Sequence, residues 1–147
     1  MSERLTPPLV VPVLLGGVLW IAASAGAASQ AARTTRDAVF TNPQADRGQI
    51  VYQERCAACH GSTLGGVESA PALTGPGFAA SWSGVPVADF FERIRLSMPL
   101  DDPGSLGRRQ TADLIAYILR FNNAPAGDAE LPAEVEVLKT ITIAPIQ

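Results

Sequence analysis

The residue types most used for metal and redox chemistry are nearly absent from this chain: its 147 residues include one histidine, His60, and two cysteines, Cys56 and Cys59. Three ligands of this kind do not close a tetrahedral zinc site, which wants four, and no further Cys or His exists to supply the last. Lysine is equally scarce, Lys139 being alone, and the net charge is −3. No basic stripe is present, which argues against nucleic-acid binding. The charges that exist are interspersed: Arg93, Arg95, Arg108 and Arg109 are offset by Asp89, Glu92, Asp101, Asp102 and Asp113, so no strong steering patch is expected. No internal repeat is visible, and the length leaves room for one domain only. A domain this small buries a modest share of its surface, so its side chains alone supply a limited core.

The longest apolar run lies at the N-terminus, from Leu9 to Ala23, followed by the small residues Ala23-Ser24-Ala25-Gly26-Ala27-Ala28. This pattern predicts a secretory signal peptide over residues 1–27, with cleavage after Ala27 or, nearly as well placed, after Ala25. The competing reading is an uncleaved anchor, because Leu9 to Ala28 reaches the roughly 20 residues needed to span a bilayer. Residues 28–41 are mostly small and polar without a period, and read as a linker.

One folded unit is expected over residues 42–123. Asn42-Pro43 announces a first helix running to about Ala57, with Gly48, Val51, Tyr52, Cys56 and Cys59 on one face. Between Gly61 and Gly84 glycines and prolines are too frequent for a long regular element. A second helix is predicted over Val87–Leu96, its stripe formed by Val87, Phe90, Phe91 and Ile94, and it must stop before Pro99. A third runs from about Arg108 to Phe121, burying Leu114, Ile115, Tyr117, Ile118 and Phe121. Its start is poor, since Arg108 and Arg109 sit at the positive end of the helix dipole, although Gln110 can complete a capping box. Residues 124–147 form a C-terminal extension with a helical turn within Pro132–Leu138 and a short strand at Ile141-Thr142-Ile143.

The sharpest signal is that the two cysteines and the histidine fall together as Cys56-Ala57-Ala58-Cys59-His60, the C-x-x-C-H pattern of covalent haem attachment. Two thiols near one helix end can add to the two vinyl groups on one haem edge, and the adjacent imidazole then turns toward the iron. Export agrees with this chemistry. The chemical competitor is a C-x-x-C disulfide oxidoreductase, which expects an α/β fold with the cysteines opening a helix after a strand. For the sixth iron position the only internal methionine is Met98, in Ser97-Met98-Pro99, and no second histidine competes with it. Thioether ligation favours ferrous iron, and with both axial positions filled by protein the arrangement suits a carrier of single electrons. A haem-based sensor or catalytic cytochrome, in which Met98 leaves the iron, is the alternative.

Over about Gln44 to Asn122 the chain resembles the class I cytochrome c family, through Asp46-Arg47-Gly48, Cys56-Ala57-Ala58-Cys59-His60-Gly61, Pro71-Ala72-Leu73, Met98-Pro99 and the helix bearing Tyr117. The resemblance implies an all-α cytochrome c fold, three main helices with loops wrapped round one covalent haem c. It also implies that Gly48 marks the close crossing of the first and last helices beneath Tyr117, and that the Pro71 carbonyl accepts a bond from the second ring nitrogen of His60. The expected site is therefore Cys56 and Cys59 as thioethers, His60 and Met98 as axial ligands, and Pro71 behind His60. Trp82 is either a donor to a haem propionate or a packing residue. The tail from Pro125 to Pro132 is similar to extensions on monohaem cytochromes that serve exported quinoprotein dehydrogenases. These readings imply a periplasmic carrier, or one anchored to the inner membrane and facing the periplasm. Its expected partners are a dehydrogenase donor and an oxidase or another cytochrome as acceptor, with membrane contact only if residues 1–27 stay attached.

Overall fold

The first helix begins one residue earlier than its proline suggests: Thr41 is the N-cap of α1 (Asn42–Arg55), its Oγ1 accepting the Gln44 N–H at 3.2 Å, with Pro43 in the first turn. Proline is tolerated there because its missing N–H has no helical partner to lose. The computed structural model describes residues 33–68 and 70–146, so the expected signal peptide and the first part of the linker lie outside the described residues. On α1 the buried residues are Gln44, Ala45, Gly48 and Tyr52, the stripe that meets the last long helix. The backbone leaves helical geometry at Cys56 (φ −126°, ψ −33°) and resumes in the single turn α2 (Ala57–His60).

The glycine-rich segment is less irregular than its composition suggests. It contains α3 (Gly75–Trp82), entered through Gly75 at φ +67° with Pro76 in the first turn, and anchored by the buried Phe78. Breakers at the start of a helix act as starters, which is why no long element was expected and a short one forms. α4 (Val87–Ser97) buries Val87, Phe90, Phe91 and Ile94 as its spacing predicts, and ends at Met98.

α5 (Arg108–Phe121) is buried on nearly every side, from Thr111 to Leu119 without interruption. A helix buried all round is the centre of a domain. Here α1 crosses one face, α4 meets another, and the termini cover a third. Leu114, Ile115, Ile118 and Leu119 are each at most 2% exposed, a burial that contributes roughly 1.5–3 kcal/mol per side chain. Phe121, expected in this core, is instead 40% exposed, beyond the reach of the covering elements.

Residues 33–40 are not a free linker. Arg33–Thr34 (β1) pairs in parallel with Ile141–Thr142 (β2), and Val39 and Phe40 are buried. The extension is equally integral, its Leu131, Leu138, Ile141 and Ile143 all lying in the core. Between them the turn α6 (Val135–Leu138) packs on α4. Gln44 holds the Leu131 backbone from both sides, donating from Nε2 to the carbonyl at 2.9 Å and accepting the N–H on Oε1 at 2.7 Å. Arg108 is also explained, since its guanidinium donates to the Ala133 carbonyl at 2.6 Å while lying over the Phe91 ring. Among the described residues no helix is long and apolar enough to cross a membrane.

Candidate haem-binding site

Where α1 breaks at Cys56, α2 turns the chain so that Cys56, Cys59 and His60 line one cavity of about 630 Å³. That volume is within the roughly 300–1,000 Å³ usual for cofactor sites. Met98, delivered by the end of α4, lines the same cavity, and so does Pro71. The five residues expected from the sequence are thus brought together. Much of its wall is apolar, with Leu73 from the loop, Trp82 from α3, Phe90 and Ile94 from α4, and Leu114 and Ile118 one turn apart on α5. Glu54, Arg55, Arg93 and Asp101 add charged groups to the lining.

His60 is fixed by one bond. Its Nδ1 lies 2.8 Å from the Pro71 carbonyl oxygen, which can only accept, so Nδ1 carries the proton and Nε2 is left as the free donor atom for a metal. The acceptor is held by a closed loop, in which the Gly66 N–H donates to the His60 carbonyl at 2.9 Å and the Leu73 N–H to the Leu64 carbonyl at 2.8 Å. Gly66 is required here, because at φ +76° a β-carbon would stand 2.7 Å from the Ala70 carbonyl oxygen and the Ala72 nitrogen. Behind the attachment turn, the fully buried Tyr52 donates from its hydroxyl to the Gly61 carbonyl at 2.5 Å. Burial pushes that phenol up to about 12.

Cys56 is half-buried and Cys59 exposed. Burial pushes the Cys56 thiol up to about 11, the opposite of the depressed value a disulfide-exchange nucleophile needs. Together with the helical fold this opposes the oxidoreductase reading. Among the described residues no three His, Cys, Asp or Glu side chains converge on a bare metal site. Two thiols, an imidazole with Nε2 free, a thioether and a largely apolar wall fit a covalently attached haem.

Trp82 packs against Phe90 at a tilt of 54°, with ring centroids 4.5 Å apart, and lines the cavity. Sequence reasoning did not find Leu114 and Ile118 as cavity residues, although their i,i+4 spacing marks a common face. Nor did it find Arg55, which lines the cavity and reaches Asp102 (3.2 Å) and Ser105 (2.8 Å) on the loop after Met98.

Residues 43–118 match the family model described as cytochrome c oxidase, cbb3-type, subunit III. No curated protein sequence matches the chain. Among solved structures it is similar in fold to the sulfane dehydrogenase SoxCD from Paracoccus pantotrophus, with a TM-score of 0.52 and 19% identity. The likeness covers 71% of this chain and 60% of that one, so this chain spans less than two thirds of that chain's length.

Proposed function

This chain belongs to the family of cytochrome c oxidase, cbb3-type, subunit III, an electron-transferring c-type cytochrome domain, and from that premise we propose that it is an exported single-haem carrier. In this reading Cys56 and Cys59 would hold one haem c by thioether bonds, and His60 and Met98 would ligate its iron. It takes electrons from a periplasmic dehydrogenase and passes them to the respiratory chain. The observation that carries the reading is the His60 Nδ1 to Pro71 bond at the edge of a cavity that also receives Cys56, Cys59 and Met98.

Bound haem supplies an iron that gains and loses one electron. The protein's part is positional: Pro71 sets the tautomer and the angle of His60, α4 presents the Met98 thioether, and the apolar part of the wall would shield the iron from water. Thioether ligation favours the ferrous state, which suits a carrier between a dehydrogenase and an oxidase. A dehydrogenase among structurally similar proteins and an oxidase subunit in the family description support partners of these two kinds. Mildly acidic, mixed surface charge supports docking by shape and apolar contact rather than by steering.

The test is expression with a haem-attachment apparatus, followed by a denaturing gel stained for haem and an intact mass. The expected result is retained haem and a mass increase of one haem on a chain lacking its first 27 residues. A haem-free band would overturn the assignment, and two haems per chain would overturn the count.

A further inference from the structure

We infer that Asn122 is a positioning residue for His60, acting through the backbone of Pro71–Leu73; the inference rests on the haem reading above. Asn122 caps α5 and is 7% exposed, its backbone N–H donating to the Ile118 carbonyl at 3.1 Å. Its side-chain amide donates twice, to that same carbonyl at 2.8 Å and to the Leu73 carbonyl at 2.9 Å. Leu73 lies two residues beyond Pro71, whose carbonyl receives His60 Nδ1 at 2.8 Å.

Pro71 has no N–H through which it could itself be tied down, and it is exposed. Among the described residues two side chains hydrogen-bond to the backbone of residues 70–74: His60, the ring being held, and Asn122. The Leu73 N–H bonds Leu64, but Leu64 belongs to the same glycine-rich segment, so that bond ties the loop to itself. Asn122 ties it to the most buried helix of the domain. It thereby sets where the acceptor for His60 stands.

The strength of the Nδ1–H···O=C bond governs how much electron density the imidazole gives a metal on Nε2. If Asn122 releases Leu73, the Pro71 carbonyl drifts, that bond weakens, the ligand becomes less basic and the ferrous state gains. The potential rises. A helix cap with no such role would alter thermal stability alone.

Asn122→Ser separates the two functions, since a serine hydroxyl can bond back to the Ile118 carbonyl and is too short to reach Leu73. Asn122→Leu removes both bonds. Thr35→Ala is the control, losing a bond from the Ala144 N–H (3.0 Å) in the terminal clasp. Redox titration of the haem-loaded proteins, with NMR exchange rates for the His60 Nδ1 proton, reads the outcome. Both Asn122 variants should raise the ferrous-to-ferric ratio at fixed ambient potential about two- to tenfold, tenfold being ~59 mV for one electron. Their Nδ1 proton should exchange faster, while Thr35→Ala lowers Tm and leaves both readouts in place. A haem-loaded Asn122→Ser protein with unchanged potential and exchange overturns the inference alone. A wild-type chain that takes up no haem overturns the haem reading, and this inference with it.

Discussion

A β-carbon on Gly48 would stand 1.8 Å from the carbonyl oxygen of Asp113, so α1 and α5 cross backbone against backbone. The Tyr52 and Tyr117 rings pack beside this crossing with centroids 5.4 Å apart. Because the clash is with main chain, no rotamer change relieves it. Gly48→Ala should cost roughly 3 kcal/mol or more, at the upper end for overpacking, and lower Tm by about 12 °C or more. Thermal denaturation of the haem-loaded variant checks this, and an unchanged Tm would show that the helices do not meet so closely.

Arg47 joins α1 to α5 and to the extension, with its guanidinium 3.0 and 2.9 Å from the two carboxylate oxygens of Asp113 and 2.8 Å from Glu130. The two carboxylates differ in exposure, 7% against 46% at the side chain. Arg47→Leu strands the buried one and should cost about 2–3 kcal/mol, somewhat below a fully buried pair because Arg47 itself is partly exposed. Glu130→Gln should cost under about 1 kcal/mol. Urea denaturation of the two variants should rank them in that order; equal costs would mean that burial of Asp113 is not what matters.

Tyr52 makes stability sensitive to alkali. Its phenol is raised from about 10 to about 12 by burial, and burial raises Tyr117 as well. The fold therefore holds the neutral form: the contribution is complete below about pH 10 and is lost as pH rises through about 12. Urea midpoints measured from pH 8 to pH 12 should fall across that window. Tyr52→Phe should start lower, for want of the bond to Gly61, and decline less steeply. An undiminished alkaline decline in that variant would place the titration elsewhere.

Met98→Ala should leave the thioether attachment intact while opening one side of the iron. Carbon monoxide should then bind the reduced variant rapidly, and its potential should fall below that of the wild type. Optical titration reads both. Rapid and complete binding to the unmutated protein would favour a sensor or catalytic cytochrome over a carrier.

That Cys56, Cys59, His60 and Met98 should share one cavity is legible in the sequence because these residue types are rare in it. One histidine beside two cysteines leaves little choice of partner. α4 and α5 fall near their expected bounds because Pro99 and Asn122-Asn123 stop them. What escaped has a common cause in long-range contact. The pairing of Arg33 with Ile141 is made across nearly the whole chain and leaves no local pattern, although the apolar pair Val39-Phe40 inside a polar stretch was a clue. Asn122 looked like a helix stop, and only folding brings Leu73 to its amide. Arg108 looked badly placed until the extension supplied the Ala133 carbonyl.

The parallel pairing of β1 with β2 turns the domain into a ring closed by hydrogen bonds, with Arg33 bonding the Thr140 carbonyl and Thr35 bonding that of Thr142. Arg33 therefore sits beside the last strand. Trimming either end exposes the seam that the other end was covering. A short peptide joining the two ends would make the circle covalent, and new ends could then be cut in an exposed surface turn.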